Sequence, residues 1–206
     1  MFAFVISAAL ATGAADSDAT PTDEFPWTVS SDSMSLRERV PTEEGHRRGP
    51  ETARARFFRS LPVKAGRPEV RLFDGRRKSN QLAHHLVFDI DVGRRDLQQC
   101  ADAAMRLWAE MLWARGESEA VCFRFTSGDR ARWSAYAAGM RPKVQGSSVR
   151  WEKQAPRDAS YRSFRRYLDV VFTYAGSASL ARGLKRVASA REVQVGDVLL
   201  QGGFPG

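Results

Sequence analysis

The chain has 206 residues, 43% of them hydrophobic, and its 32 Lys and Arg outnumber 24 Asp and Glu for a formal net charge of +8. This size and apolar share suffice for one folded domain with a core, and no apolar run is long enough for a membrane-spanning helix. The basic excess would suit an anionic partner such as nucleic acid, a lipid surface or an acidic polymer. The favoured alternative is a scattered basic surface in which arginine is used by default, because the arginines are spread over the whole chain.

The N-terminal region reads as two segments that precede the folded domain. Residues 1–17 combine a short apolar run with small residues, which is typical of a weak export signal, although no positive leader precedes it. The alternatives are a start further upstream or a disordered start. Residues 18–35 are rich in Asp, Ser, Thr and Pro and predict a disordered linker. A single α+β domain is predicted over residues 36–206.

The first part of this domain is predicted to contain two short helices and two strands. The helices cover residues 35–40 and 52–61, and each ends before a proline. Alternating apolar and polar residues predict strands over 69–73 and 81–92. The pair His84-His85 would suit a ligand set or a general base. Neighbouring residues on a strand point to opposite faces, however, which favours no chemical role.

The strongest pattern in the chain predicts a long helix over residues 96–115. Asp96 is the expected N-cap, with Gln99 reaching back in a variant of the capping box. Gly116 is the expected end. Apolar residues recur at three- and four-residue spacing and predict one buried stripe. Its members are Leu97, Cys100, Ala101, Ala104, Leu107, Trp108, Met111 and Leu112.

The remaining elements are short. We predict strands over 120–125, 149–151 and 198–200, helices over 130–138, 160–174 and 178–187, a polar turn over 126–129 and a loop over 139–148. This order favours an α+β fold, in which a mixed or antiparallel sheet carries the long helix.

Polar residues gather around the start of the long helix and form the candidate site. They are Asp89, Asp91, Arg94, Arg95, Gln98, Gln99 and Asp102. Asp89 and Asp91 share one face of the predicted strand, where they would act as a carboxylate pair, hold a cation or simply face solvent. The remaining residues form either a ligand-facing corner or a cap network. With three histidines and no CxxC motif, neither a metal site nor a cofactor is predicted.

Several stretches, taken together in this order, resemble the bacterial domain-of-unknown-function 4846 family over about residues 35–206. They are L-P-V-K at 61–64, L-F-D-G-R at 72–76, D-I-D-V-G at 89–93, D-L-Q-Q-C-A-D-A at 96–103, F-T-S-G at 125–128 and G-D-V at 196–198. The family's function is not established. Its members are often exported or lipid-anchored, which implies export to the periplasm, envelope or medium; the alternative is a cytoplasmic protein.

The resemblance also implies a difference at the C-terminus. In relatives, the G-D-V strand and a following G-G-x-P-G turn lead into a histidine-bearing strand, whereas this chain stops at Gly206. We therefore expect a truncated chain that lacks the last strands of the sheet.

In relatives, a helix that bears a cysteine is followed along the chain by a strand that bears a histidine. This order is similar to that of papain-like cell-wall amidases and endopeptidases. This likeness implies a papain-like architecture with Cys100 as the nucleophile, whose thiolate the positive end of the helix dipole would favour. The alternative is a structural cysteine, buried on the apolar stripe about one turn inside the helix.

No histidine follows Cys100 in the chain. The first functional hypothesis is therefore an exported relative of such hydrolases that is inactive here. The second is a non-catalytic binding or structural domain that recognises an anionic cell-envelope polymer through its arginines. A nucleic-acid partner is not predicted, because the arginines are scattered and lack aromatic neighbours. The two cysteines, Cys100 and Cys122, are not expected to form a disulfide.

Overall fold

A computed structural model describes the backbone of residues 4–7 and residues 25–200 in full. The chain has the predicted α+β composition, with helices and small antiparallel sheets. It forms two compact units, residues 16–98 and residues 1–15 with 99–206. Strand β1 (Phe4–Ser7) belongs to the second unit. The rest of the predicted export signal and residues 18–24 of the predicted linker lie outside the described residues.

The 16–98 unit contains two short helices and one small strand pair. Strand β2 (Met34–Ser35) leads into α1 (Leu36–Arg39), and α2 (Ala53–Ser60) leads into β3 (Pro62–Val63), which pairs with β2. Both predicted helices are confirmed, since the side chains of Ser35 and Thr52 accept the expected N-cap hydrogen bonds. The buried core of this unit is formed by Trp27, Ala55, Phe57, Leu61 and Val63.

The two strands predicted after α2 are wrong. Only isolated bridges form there, one between Arg71 and Arg77 and one between Val63 and Phe88. A turn forms at Gly75, whose N–H donates to the carbonyl of Leu72 over 2.9 Å. All of residues 71–80 are exposed. An alternating pattern forms a stable strand only when one face is buried, and this segment has no such face.

The long helix of the other unit, α3 (Cys100–Ala114), starts later than predicted. Gln99 and not Asp96 is the N-cap, and its N–H donates to Asp102 Oδ2 over 3.2 Å. The end is confirmed: Gly116 has φ 70°, its N–H donates to the carbonyl of Trp113, and the next N–H donates to Leu112. This pair of bonds is the Schellman motif.

The buried stripe of α3 is partly different from the predicted one. Ala101, Met111 and Leu112 are buried as expected, whereas Cys100 is exposed and Leu107 is only half-buried. The full buried face also includes three charged residues and two apolar residues that the prediction omitted. These are Asp102, Arg106, Glu110, Met105 and Ala109. Apolar spacing alone missed this face because charged residues occupy part of it.

After α3, the unit consists of two hairpins, three helices and two further strands. They are β4 (Cys122–Arg124), β5 (Arg130–Arg132), α4 (Trp133–Ala137), β6 (Met140–Gln145), β7 (Ser148–Lys153), α5 (Tyr161–Tyr174), α6 (Ser177–Gly183), β8 (Lys185–Arg186) and β9 (Val198–Leu200). Strands β4 and β5 pair, as do β6 and β7, and β1 lies between β8 and β9. The predicted antiparallel pairing is therefore divided among four small sheets within the described part of the chain.

Two assignments in this region are wrong, whereas helix α5 and the strands over 149–151 and 198–200 are confirmed. Residues 130–132 form β5, so the helix predicted over 130–138 is only the short α4. The predicted loop over 139–148 is mostly β6, because Pro142 is tolerated in a two-stranded sheet where both strands are edges. Helix α5 is confirmed, with the Ser160 side chain accepting at its N-cap.

An aromatic cluster joins α3, α4 and α5 in the core of this unit. The ring centroids of Trp113 and Phe164 lie 4.6 Å apart, and those of Trp133 and Phe164 lie 5.1 Å apart. The hydroxyl of buried Tyr167 donates to the carbonyl of Ala131 over 2.8 Å, which ties α5 to the back of the β4–β5 hairpin. The papain-like arrangement implied by the resemblance stays a prediction.

Candidate functional site

The first turn of α3 brings together three of the predicted site residues. Gln99 is the N-cap, Cys100 is the first helical residue and Asp102 is the third. The Cys100 thiol is exposed, so the cysteine is neither buried nor one turn inside the helix. Asp102 is buried, and burial raises the pKa of its carboxyl despite the hydrogen bond from Gln99. These contacts support the cap network for Gln99 and Asp102.

The other predicted site residues belong to the 16–98 unit, where Asp89 has a structural role. Its Oδ2 accepts hydrogen bonds from the Ser30 N–H over 2.6 Å and the Ser33 hydroxyl over 2.8 Å, and its carbonyl accepts from Trp27 Nε1. Burial alone would raise the pKa of Asp89, but these hydrogen bonds and nearby Lys64 hold it below its usual value. The carboxylate therefore fixes the 27–33 stretch.

Asp91 does not share this environment, since it is exposed while Asp89 is 7% exposed. The two carboxylates thus differ in burial, contrary to the common face expected of them. Arg94 and Arg95 are also exposed, and Gln98 is half-buried. Among the described residues, no group of three His, Cys, Asp or Glu is placed to hold a metal ion.

Three charged residues form a buried row along α3 that the apolar pattern did not predict. Asp102, Arg106 and Glu110 follow one another at four-residue spacing, and each is at most 8% exposed. Arg106 Nε donates to Glu110 Oε1 over 2.5 Å, and the Tyr161 hydroxyl on α5 donates to the same oxygen over 2.8 Å. Glu110 Oε2 has no hydrogen-bond partner in residues 25–200. The four-residue spacing of opposite charges was the available signal.

The electrostatics of this row follow from its burial. Burial raises the pKa of Glu110, and the guanidinium of Arg106 opposes that rise only in part. Burial and the neighbouring Glu110 carboxylate raise the pKa of the Tyr161 hydroxyl well above its usual value. With side-chain exposures of 0% for Arg106 and 1% for Glu110, neither group is accessible to a ligand. The row therefore links α3 to α5 through the hydrogen bond from Tyr161 to Glu110.

The exposed charges of residues 99–200 are almost all positive. Twelve Lys and Arg are exposed, against Glu119 and Glu192 as the exposed acids. The remaining acids are at least partly buried, many of them in caps or ion pairs. We call the twelve the basic surface. They are Arg130, Arg132, Lys143, Arg150, Lys153, Arg157, Arg162, Arg166, Arg182, Lys185, Arg186 and Arg191.

The β4–β5 hairpin concentrates part of this charge on one face. Phe123 and Ala131 are buried on its inner face, so the alternating residues point outward. In the register, Arg124 lies opposite Arg130, and Arg132 lies opposite Cys122. Arg124 and Cys122 are partly exposed, and both arginines of β5 are exposed. We call Arg124, Arg130 and Arg132 the hairpin arginines.

Comparison with known proteins agrees with the motifs. The model of the family described as domain of unknown function (4846) matches residues 36–206, which is most of the chain. No curated protein and no solved structure matches it. The match covers elements of both units, from α1 to β9. The chain therefore belongs to the domain of unknown function 4846 family.

Proposed function

We propose that this chain is a non-catalytic binding domain whose 99–206 unit recognises an anionic polymer of the bacterial cell envelope. The observation that carries the proposal is the ratio of twelve exposed cations to two exposed anions in residues 99–200. Clustered charges of one sign raise the local concentration of an oppositely charged polymer and speed its association.

The 16–98 unit provides an internal comparison. Among its described residues, eleven Lys and Arg are exposed against nine Asp and Glu, so both signs are nearly balanced there. Default use of arginine across the chain would bias both units alike. The bias among exposed residues is much stronger in residues 99–200, which supports a partner for that unit.

The kind of cation also favours recognition over simple solubility. Nine of the twelve members of the basic surface are arginines. A guanidinium presents a rigid fork of donors that matches phosphate and carboxylate oxygens two at a time, whereas an ammonium acts as a point charge. Export to the envelope rests on the family, whose members are often exported or lipid-anchored. Fractionation of cells that produce the chain with its N-terminus intact tests that part directly.

Binding is tested with the full chain and poly(glycerol phosphate), with neutral dextran as the polymer control. We expect binding at about 50 mM salt that weakens steeply toward about 500 mM, because salt screens exposed charges. Arg157→Gln/Arg162→Gln should weaken binding. The matched variant Arg47→Gln/Arg56→Gln removes two exposed charges of the 16–98 unit and should not. Equal losses from the two variants, or binding that ignores salt, would sink the proposal.

The second candidate function is a relationship to papain-like cysteine hydrolases, and the exposed thiol of Cys100 at the start of α3 favours it. A helix N-terminus stabilises an anion and its N–H groups can hold an oxyanion. Residues 101–206 contain no histidine, so a base for this thiol is not among them.

The thiol is tested by alkylation rate against pH, with half-buried Cys122 as the internal control. Modification of Cys100 that stays fast below neutral pH supports the relationship, because the thiolate is the reactive form. If Cys100 slows in acid as an ordinary thiol does, the hydrolase relationship should be abandoned.

A further inference from the structure

We propose that the outward face of the β4–β5 hairpin is the primary site of the basic surface and that it binds the phosphate groups of a phosphodiester polymer. This inference rests on the proposed function and adds the location and the ligand chemistry. It is carried by three arginines on one small sheet, with which no acidic side chain of residues 25–200 forms an ion pair.

The geometry places the hairpin arginines side by side. Directly opposed residues of an antiparallel pair have Cβ atoms about 5 Å apart, and Arg124 and Arg130 are such a pair. Arg132 is two residues further along the same face. The inner residues, Phe123 at 8% and Ala131 at 0% exposure, anchor the hairpin in the core. The three guanidinium groups therefore project from a fixed base.

The charges on this face are uncompensated. Within residues 25–200 no carboxylate forms an ion pair with any of the hairpin arginines. Arg124 Nη1 donates to the carbonyl of Gly128 over 3.1 Å, which orients the group without neutralising it. Like charges placed directly opposite each other destabilise a strand pair, so an anion bound between them relieves a repulsion that the free domain carries.

The β6–β7 hairpin also places two cations opposite each other, but one of them and a neighbouring arginine have partners within the protein. Lys143 lies opposite Arg150, but Arg150 Nη2 lies 3.7 Å from Glu152 Oε1. Arg141, on the same face, stacks over the ring of Tyr136 at 3.7 Å and donates to two backbone carbonyls. Part of the charge of β6–β7 is thus already satisfied within the protein, which makes it a suitable control.

The arrangement of the hairpin arginines favours phosphate over carboxylate. A carboxylate can also bridge two guanidinium groups, as Glu69 does with Arg71 and Arg77, but its acceptor directions lie in one plane. A phosphodiester has free oxygens in a tetrahedral arrangement and can accept from two guanidinium groups that approach from different sides. The opposed pair Arg124 and Arg130 provides that approach.

The first experiment compares Arg124→Gln/Arg130→Gln with the control Lys143→Gln/Arg150→Gln in the full chain. Each removes two opposed cations from a hairpin. For poly(glycerol phosphate) we expect the first variant to bind about tenfold more weakly, because it loses at least one charge-assisted hydrogen bond. The slope of log affinity against log salt concentration should also be smaller by about two, one for each cation removed. The control should lose about twofold. Poly-L-glutamate of equal charge should bind the wild type more weakly.

The second experiment uses the thiol that lies on the same face. Cys122 is opposite Arg132, so bound polymer should slow its alkylation, whereas Cys100 at the start of α3 should react at an unchanged rate. Urea unfolding shows whether the variants are folded. If the double variant does not fold, Arg132→Gln replaces it and should weaken binding more than Lys143→Gln.

The outcomes separate the two proposals. If the wild type binds poly(glycerol phosphate) but both hairpin variants lose affinity equally and Cys122 is not protected, the hairpin site is overturned and the basic surface stands. If the wild type does not bind at all, both fail. If poly-L-glutamate binds as tightly as poly(glycerol phosphate), the assignment of phosphate is overturned.

Discussion

Replacing Arg106 with methionine should show how much the buried charges of α3 contribute to stability. The substitution keeps an unbranched apolar chain in place of a residue that is 0% exposed. It leaves Glu110, 1% exposed, with the Tyr161 hydroxyl but without its cation. Breaking a buried ion pair by removing one partner costs about 3–5 kcal/mol. This is a large part of the total of about 5–15 kcal/mol typical of a folded domain.

The loss should depend on pH in a defined direction. Burial raises the pKa of Glu110 above its usual value of 4.5. Below that value Glu110 is protonated in both the folded and unfolded states, so no carboxylate charge is buried at this position. As pH rises through the folded-state pKa, the ionised form is favoured on unfolding and stability falls. Without Arg106 the folded-state pKa rises further, so the deficit of the variant should grow from about pH 4 to pH 7.

Urea unfolding at both pH values measures the free energy of unfolding. The double variant Arg106→Met/Glu110→Gln carries no buried charge at these positions and should recover about half of the loss or more. Arg115→Met is the matched control, because Arg115 pairs with Glu117 at 2.7 Å but in a more exposed place, and should cost less than about 1 kcal/mol. A deficit below about 1 kcal/mol for Arg106→Met, or one unchanged by pH, would refute the reasoning.

Two further predictions concern the backbone and the buried aspartate. Gly139→Ala should lower the free energy of unfolding in urea by about 2 kcal/mol or more, because the new Cβ would lie 1.9 Å from the Ala155 carbonyl oxygen and φ is 95°. The matched variant Gly146→Ala has open space around the new Cβ at φ 57° and should lower it by about 1 kcal/mol. Asp89→Asn should lose about 1–3 kcal/mol at pH 7. Since the folded-state pKa of Asp89 lies below 3.8, the deficit should vanish as pH falls through that folded value, and an equal deficit in strong acid would contradict it.

Features that depend only on neighbouring residues could be predicted from the sequence. Helix α2 begins after Thr52 and α5 after Ser160, and each cap residue accepts the hydrogen bond that its position predicts. The end of α3 at Gly116 depends on the positive φ that glycine adopts readily. These features need only residues within one or two turns of each other, so no distant partner can override them.

Features that depend on residues far apart in the chain could not be predicted from the sequence. The alternating residues 87–92 form only one bridge, at Phe88, because their neighbour β3 is two residues long. The burial of Arg106 and Glu110 depends on Tyr161, which is 51 residues further along the chain. The basic excess was visible as net charge, but the small number of exposed acids in residues 99–200 depends on which acids the fold buries. The hairpin arginines became a set only through the register of β4 and β5.

The contacts of Asp89 also determine how the start of the 16–98 unit opens. Its carboxylate and carbonyl hold Trp27, Ser30 and Ser33, while its own N–H donates to the carbonyl of Pro62 over 2.8 Å. Breaking any one of these bonds leaves the others in place, so the stretch should not fray residue by residue. The amide protons of Ser30 and Asp89 and the indole proton of Trp27 should then exchange with solvent through one shared opening event, at a common free energy.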